Sequence, residues 1–527
     1  MPNRHGIRTM TLGLATFAMI VIGSGWPTAE NAQTVGQWDR FEIIVANTKR
    51  YADPYRDVTL AVTFTKPDKT KVNFWGFYDG GTTWKIRWMP DQLGRWSYRA
   101  QFSDGAPGAS GVFECVKLDI PGLISQDETN PMWFGFKGGK HILIRSFHAG
   151  DRFFARNWSN AERAAFLDWA QRQGYNTLSI ASHYLNRQAE GRGKGWETPQ
   201  LWPLDANEYR RMEAILDDLA RRRLIVFPFA GFLGRDSNFP REAKEQELYL
   251  RYTLARLGAY WNLLFNVGGP EPILDSRSYL TAEEINQAGA VIRRLDLFGH
   301  PLSIHTRTGD NPFRDQDWLS YVVLQGPKTF DLRELNQGLL RNHHPRKPLY
   351  AQETLWTGNT IFTRRLQRDF TDDELRKNAY VILMSAAVFN FADNRGDSSS
   401  GFTGSLNLAE RAQPRHDIVK RVWDFFEAIP FYRLGPHQDL VENGFCLAEE
   451  GREYLVYLPA RGAVSVKVKP GAYAVEWINA QNIVDRRKAG TTTDGQNLAA
   501  PGEGDDWLLR LVSSTTRGSS DAPAKRQ

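Results

Sequence analysis

Between about residue 125 and residue 432 the chain alternates short apolar runs with capped helical patterns, and this alternation limits the fold most. The apolar runs fall at 141–147, 176–181, 224–229, 262–267, 301–306, 321–325, 348–352 and 388–392. Most are continuous, as strands buried on both faces of a parallel sheet should be. Helix starts separate them. Ser159 with Glu162, Thr281 with Glu284, and Thr371 with Glu374 each fit the capping box, a hydroxyl followed three residues later by a carboxylate. Asp205-Ala206-Asn207-Glu208 is a variant that opens the pattern carrying Met212, Ile215, Leu216 and Leu219. The link from Arg307 to Trp318 reads as poorly helical. Eight strands with mostly helical crossovers predict a (β/α)8 TIM barrel. A doubly wound open sheet is the alternative, but it lacks the Gly-rich phosphate turn after an early strand.

Both flanks read as β. Over 36–119, alternating runs at 58–64 and 85–88 are separated by turn signals such as Pro67-Asp68-Lys69 and Tyr78-Asp79-Gly80-Gly81, and the length suits a small sandwich. Strand patterns return at 451–458, 472–477 and 505–511, predicting a C-terminal β domain over 437–512, a small β-sandwich. The tail 513–527 is Ser, Arg, Ala and Pro without periodicity and reads as disordered. The organisation is therefore multidomain: a barrel over 125–432 between two β domains.

Arg4, His5 and Arg8 precede an uncharged apolar stretch over 10–25, short and interrupted for a membrane anchor, so that an uncleaved signal anchor is the minority reading. This predicts a signal peptide over 1–32 and a secreted or periplasmic protein, with no stable membrane span after cleavage. The net charge is only +6 and no basic block occurs, so nucleic acid is not an expected partner. Cys115 and Cys446 either pair in an oxidising compartment or lie buried as two free thiols. Two cysteines cannot build a zinc site alone, and no Walker loop, Gly-x-Gly-x-x-Gly or Ser-His-Asp elbow appears. Neither metal nor cofactor is expected.

Two glutamates stand at strand ends. Glu271 follows the fourth apolar run through Gly268-Gly269-Pro270, and Glu353 ends the seventh. About three strand-helix units of roughly 31 residues separate them. Such a pair suits glycosidic cleavage with retention, which needs two carboxyls about 5–5.5 Å apart, one as acid/base and one as nucleophile. Other strand-end side chains able to hydrogen-bond sugar hydroxyls are His148, His183, Asn266, His305, Gln325, Asn390 and Asp393. Trp356, three residues past Glu353, offers a stacking platform for a sugar ring. Trp202 and the Gly/Arg-rich stretch 187–195 follow the second strand, and Ser398-Ser399-Ser400-Gly401 follows the eighth.

The whole layout resembles apiosidase-like glycoside hydrolases that carry an N-terminal Ig-like domain and a C-terminal β domain. The N-terminal likeness rests on Asp53-Pro54-Tyr55-Arg56-Asp57-Val58, Gly76-Phe77-Tyr78-Asp79-Gly80, Arg87-Trp88-Met89-Pro90 and Gly94-Arg95-Trp96. The C-terminal likeness rests on Tyr454-Leu455-Val456-Tyr457-Leu458-Pro459, Val475-Glu476-Trp477 and Asp506-Trp507. The barrel is similar to the large retaining clan of (β/α)8 glycosidases. That resemblance implies Glu271 as acid/base, Glu353 as nucleophile and a carbohydrate substrate. Pro270 stands where that clan carries Asn, so a hydrogen bond to a sugar 2-hydroxyl has to come from another residue or be absent. Two alternatives stay open: a non-catalytic carbohydrate-binding protein on a degenerate barrel, and a surface scaffold worked by its flanking β domains.

Overall fold

The computed structural model describes residues 32–514, apart from 151–152, 157, 181–200, 229, 236, 274–277, 308, 359–362, 364–366, 395–413 and 503. His183, the 187–195 stretch, the 398–401 loop and nearly all of the expected signal peptide and tail lie outside the described residues. The chain divides into two compact units, Met1–Asp119 and Ile120–Gln527.

The first unit is all β. Strands Gln33–Gly36, Ala109–Val116, Gly94–Phe102, Leu60–Thr65 and Lys71–Trp75 form one sheet in that order, and Phe41–Ala46, Thr83–Trp88 and Phe77–Tyr78 form another. Every second residue of Gly94–Phe102 and Ala109–Val116 is buried, the period-two pattern of a strand with one wet face. The buried faces meet through aromatic rings: Phe41 stacks on Phe113 at 4.0 Å and Phe64 on Trp88 at 4.7 Å.

In the second unit eight strands alternate with helices: Arg145–Gly150, Thr177–Ile180, Ile225–Pro228, Phe265–Asn266, Leu302–Ser303, Val322–Leu324, Leu349–Gly358 and Ala387–Asn394. Numbered in chain order, six make a continuous parallel sheet, third-second-first-eighth-seventh-sixth. The fourth and fifth pair in parallel with each other. Single parallel bridges, Val226 to Leu263 and His305 to Val323, join that pair to the third and sixth strands. The regular parts of the fourth and fifth strands are shorter than expected. Pro301 and Pro270 have no N–H to extend a ladder, and the pairing runs on through irregular bonds such as Val267 N–H to Ser303 O at 2.8 Å.

The helices begin where the side chains dictate. The capping boxes at Ser159, Thr281 and Thr371 form with both reciprocal bonds, and Asp205 caps Ala206–Arg221 by accepting from Asn207 N–H. The described residues between the fifth and sixth strands form turns, as the poor helical pattern there predicts. The first strand starts later than expected, because Lys140–His141 joins a separate small sheet with Ile124–Gln126 and Phe134–Phe136. That sheet hydrogen-bonds Trp261 O, Phe298 O, Ser320 O and Arg346 O, carbonyls just ahead of the fourth to seventh strands. It therefore covers the N-terminal ends of the parallel strands, opposite the ends where Glu271 and Glu353 stand.

The C-terminal β module packs on the helix Asp372–Met384. Tyr380 stacks on Tyr457 at 4.8 Å and its hydroxyl donates to Ala480 O at 3.0 Å. Arg376 reaches both carboxyl oxygens of Asp506 at 3.1 Å, and the Tyr457 hydroxyl donates to the same carboxyl at 2.9 Å. Strands at Phe445–Glu449 and Arg486–Thr492 belong to this six-stranded sheet although neither stood out in the sequence. Cys115 and Cys446 are buried free thiols. Burial pushes the Cys115 thiol up to about 12 and raises Cys446 as well. Among the described residues no helix is long and apolar enough to cross a membrane.

Candidate active site

The seventh strand, Leu349–Gly358, is buried along nearly its whole length. Its register against the eighth strand breaks between Ala351, which faces Phe389, and Leu355, which faces Phe391. A bulge of this kind re-aims the side chains inside it. Gln352, Glu353 and Thr354 are those residues. Hydrogen bonds fix the bulge from the eighth and second strands and from His305, just past the fifth. Gln352 O accepts from Asn390 Nδ2 and from Trp356 Nε1, each at 3.1 Å. The Gln352 amide donates to Ser179 Oγ and accepts from His305 Nε2, both at 2.9 Å. Asn390 Oδ1 accepts from Ser146 Oγ at 2.9 Å, and that hydroxyl lies 2.6 Å from Tyr350 Oη.

Glu353 is 6% exposed and sits between two nitrogen groups. Lys328 Nζ donates to its Oε2 at 3.0 Å, and His305 Nε2 lies 3.6 Å from its Oε1. Burial holds the His305 imidazole below its usual range, against the opposing pull of the Glu353 charge, the Gln352 hydrogen bond and the Glu271 charge. Both neighbours of Nε2 are oxygens, and a carboxylate can only accept, so the ring proton sits on Nε2. A buried carboxylate needs such partners, since leaving it unpaired costs several kcal/mol.

Glu271 is held from the same histidine by a different route. Its N–H donates to His305 O at 3.0 Å. Gln325 Nε2 donates to its Oε1. Arg235 donates to Pro270 O at 3.1 Å and to Glu271 O, and lies over the Tyr279 ring at 5.0 Å. Glu271 adopts φ +50°, a left-handed conformation that costs a non-glycine residue of order 1–3 kcal/mol and occurs most often at functional sites. The backbone bonds to His305 and Arg235 hold it there.

The other expected site residues divide. Gln325 and His305 contact the glutamates directly, whereas Asn390 braces the bulge. Asn266 is fully buried and donates to Pro228 O at 3.2 Å. His148 lies against Trp356, ring centres 4.6 Å apart. Trp356 is only 3% exposed, which differs from the open platform expected of it. The indole packs against His148 and its Nε1–H is donated to the Gln352 carbonyl. Asp393 accepts from Thr357 Oγ1 at 3.2 Å, and Trp202 is half-buried against Tyr249. Lys328 and Arg235 were missed. Both are cations in loops beyond strand C-terminal ends, and a search for basic residues there would have found them. Among the described residues no group of His, Cys, Asp and Glu is arranged to hold a metal.

The fold of alternating parallel strands and helices is that of glycoside hydrolases. A protein from Bacteroides vulgatus ATCC 8482 assigned as a glycoside hydrolase superposes with a TM-score of 0.70 at 18% identity, covering 91% of this chain and 100% of its own. A family 5 glycoside hydrolase from the same organism gives 0.55 at 15% identity over 77% of this chain and 97% of its own. Another glycoside hydrolase gives 0.56 at 15% identity over 76% and 99%. Residues 152–391 match the model of the apiosidase-like catalytic domain. Residues 34–103 match a domain of unknown function (DUF5060). Among curated proteins none matches this sequence.

Proposed function

We propose that this protein is an exported retaining glycosidase that cleaves a glycosidic bond of a poly- or oligosaccharide by double displacement. In the first step the Glu353 carboxylate attacks the anomeric carbon and the bond from that carbon to the leaving oxygen breaks. Glu271 gives that oxygen its proton. Gln325 already donates to Glu271 Oε1, so the other carboxyl oxygen carries the proton to be transferred. In the second step water attacks the anomeric carbon, Glu271 takes a proton from it, and the ester to Glu353 breaks. The observation that carries this reading is the convergence of both glutamates on His305, one through its ring and one through its backbone carbonyl.

We read the eight strands as a (β/α)8 barrel; the single bridges at Leu263 and His305 support closure. The first unit fits an Ig-like sandwich. The leader supports export to the periplasm or medium, which the N-terminal sequence of the protein recovered from cells would test. Activity is tested by screening the full chain against aryl glycosides and purified polysaccharides, with Glu353→Ala and Glu271→Ala alongside. The expected result is turnover by the wild type, abolished in Glu353→Ala and reduced by about 10²–10⁴-fold in Glu271→Ala, the range of one general acid/base. Saccharide binding without turnover by the wild type would overturn the catalytic reading and favour a carbohydrate-binding protein.

A further inference from the structure

Lys328 has donor capacity that its protein contacts do not use. An ammonium carries three protons. Among the described residues it makes one hydrogen bond, to Glu353 Oε2 at 3.0 Å, and its side chain is 23% exposed. The other donors near the two glutamates are engaged with the protein. Gln325 Nε2 is on Glu271, Arg235 is on two carbonyls, and His305 Nε2 lies between Gln352 and Glu353. Asn390 Nδ2 and Trp356 Nε1 are both on Gln352 O. Pro270, next to Glu271, has no side-chain donor.

A carboxylate that attacks an anomeric carbon brings its second oxygen close to the hydroxyl on the neighbouring ring carbon, C2. Hydrogen bonds to that hydroxyl strengthen as the transition state forms. A donor within hydrogen-bond distance of the nucleophile's own oxygen is therefore placed to reach it. We infer that Lys328 binds the glycone 2-hydroxyl while holding Glu353, so that this enzyme selects sugars bearing a free hydroxyl at C2. The inference rests on the glycosidase reading with Glu353 as nucleophile. Lys328 then acts on substrate and nucleophile together. A merely structural cation would stabilise Glu353 equally whatever the sugar carries at C2.

The test uses the 4-nitrophenyl glycoside that the full chain hydrolyses fastest and its 2-deoxy analogue. Intrinsic reactivity cancels when the ratio of kcat/KM for the two substrates is compared between wild type and variants. In Lys328→Ala and Lys328→Met the preference for the 2-hydroxy sugar should fall by roughly tenfold to a hundredfold, the worth of a charged hydrogen bond. Lys328→Arg should restore part of it. Thermal unfolding confirms that each variant folds, and Lys328→Met keeps a side chain of similar length without a donor if the alanine variant does not fold. An unchanged ratio in a folded, active variant would overturn the inference and leave the glycosidase reading intact. No hydrolysis of any glycoside by the wild type would overturn both.

Discussion

The Nε2 of His305 lies 3.6 Å from Oε1 of Glu353, and neither group has more than slight contact with solvent. The Nε2 proton is donated to Gln352 Oε1 at 2.9 Å, and the Glu353 carboxylate lies just beyond hydrogen-bond distance of the same nitrogen. The backbone carbonyl of His305 at the same time anchors Glu271. A side-chain substitution removes the ring's bond to Gln352, which holds the bulge carrying Glu353, and keeps the backbone bond to Glu271. A neutral hydrogen bond contributes about 0.5–1.5 kcal/mol. His305→Ala should therefore lower kcat/KM roughly 2- to 13-fold while the protein stays folded. Steady-state kinetics on the best aryl glycoside checks this. An unchanged kcat/KM would show that the ring does no more than fill space.

The same histidine sets a pH dependence of stability. Its imidazole is held below the usual range by burial in the folded state and returns to about 6.5 when unfolded. Below about pH 6.5 the unfolded chain binds a proton that the folded chain does not, so stability rises with pH there. The contribution is complete above the unfolded value and is lost as pH falls through the folded one. Melting temperature should fall between pH 7 and pH 5, and His305→Gln should flatten that slope. Equal slopes for the two proteins would exclude His305 as the source.

Glu271 sits at φ +50°, where glycine is at ease and any L side chain is strained. Glu271→Gly and Glu271→Ala both remove the carboxyl, so both should lose activity. They should differ in stability. The glycine variant escapes the left-handed penalty, and should be at least as stable as the alanine variant, by up to about 1 kcal/mol. Denaturant midpoints decide it; a clearly more stable alanine variant would mean that the backbone relaxes without cost.

What could be read from the sequence followed the range of each interaction. The capping boxes at Ser159, Thr281 and Thr371 were legible because each side chain bonds a residue three positions away. The strands were legible because burial on both faces leaves continuous apolar runs. That same burial hid the bulge at Gln352–Thr354, since a strand with no wet face carries no alternation to mark a slip in register. Glu271 and Glu353 stood out by position in the strand count. Lys328 did not, because its partner lies 25 positions on and a loop lysine reads as a solvated charge. Trp356 looked like an open platform from its spacing alone, and only its packing against His148 shows the ring turned inward.

Arg376 and Asp506 are 130 positions apart and join the helix Asp372–Met384 to the C-terminal β module. The Asp506 side chain is fully buried and that of Arg376 is 14% exposed. Removing Asp506 leaves Arg376 paired to Asp373 alone and the buried Tyr457 hydroxyl without its acceptor, at a cost of about 1–3 kcal/mol. Asp506→Ala should lower the melting temperature by several degrees, read by thermal unfolding of the full chain. A variant as stable as wild type would show that this pair contributes little to holding the module in place.

The most direct measurement is to trap the covalent intermediate. The full chain is incubated with activated 2-deoxy-2-fluoro glycosides matched to its best aryl substrate. The intact mass and the labelled peptide are then determined. The expected result is one glycosyl adduct per chain, an ester on Glu353, absent in Glu353→Ala. An adduct on another residue would contradict the assignment of the nucleophile. First-formed sugar of inverted anomeric configuration, with no adduct at all, would contradict double displacement itself.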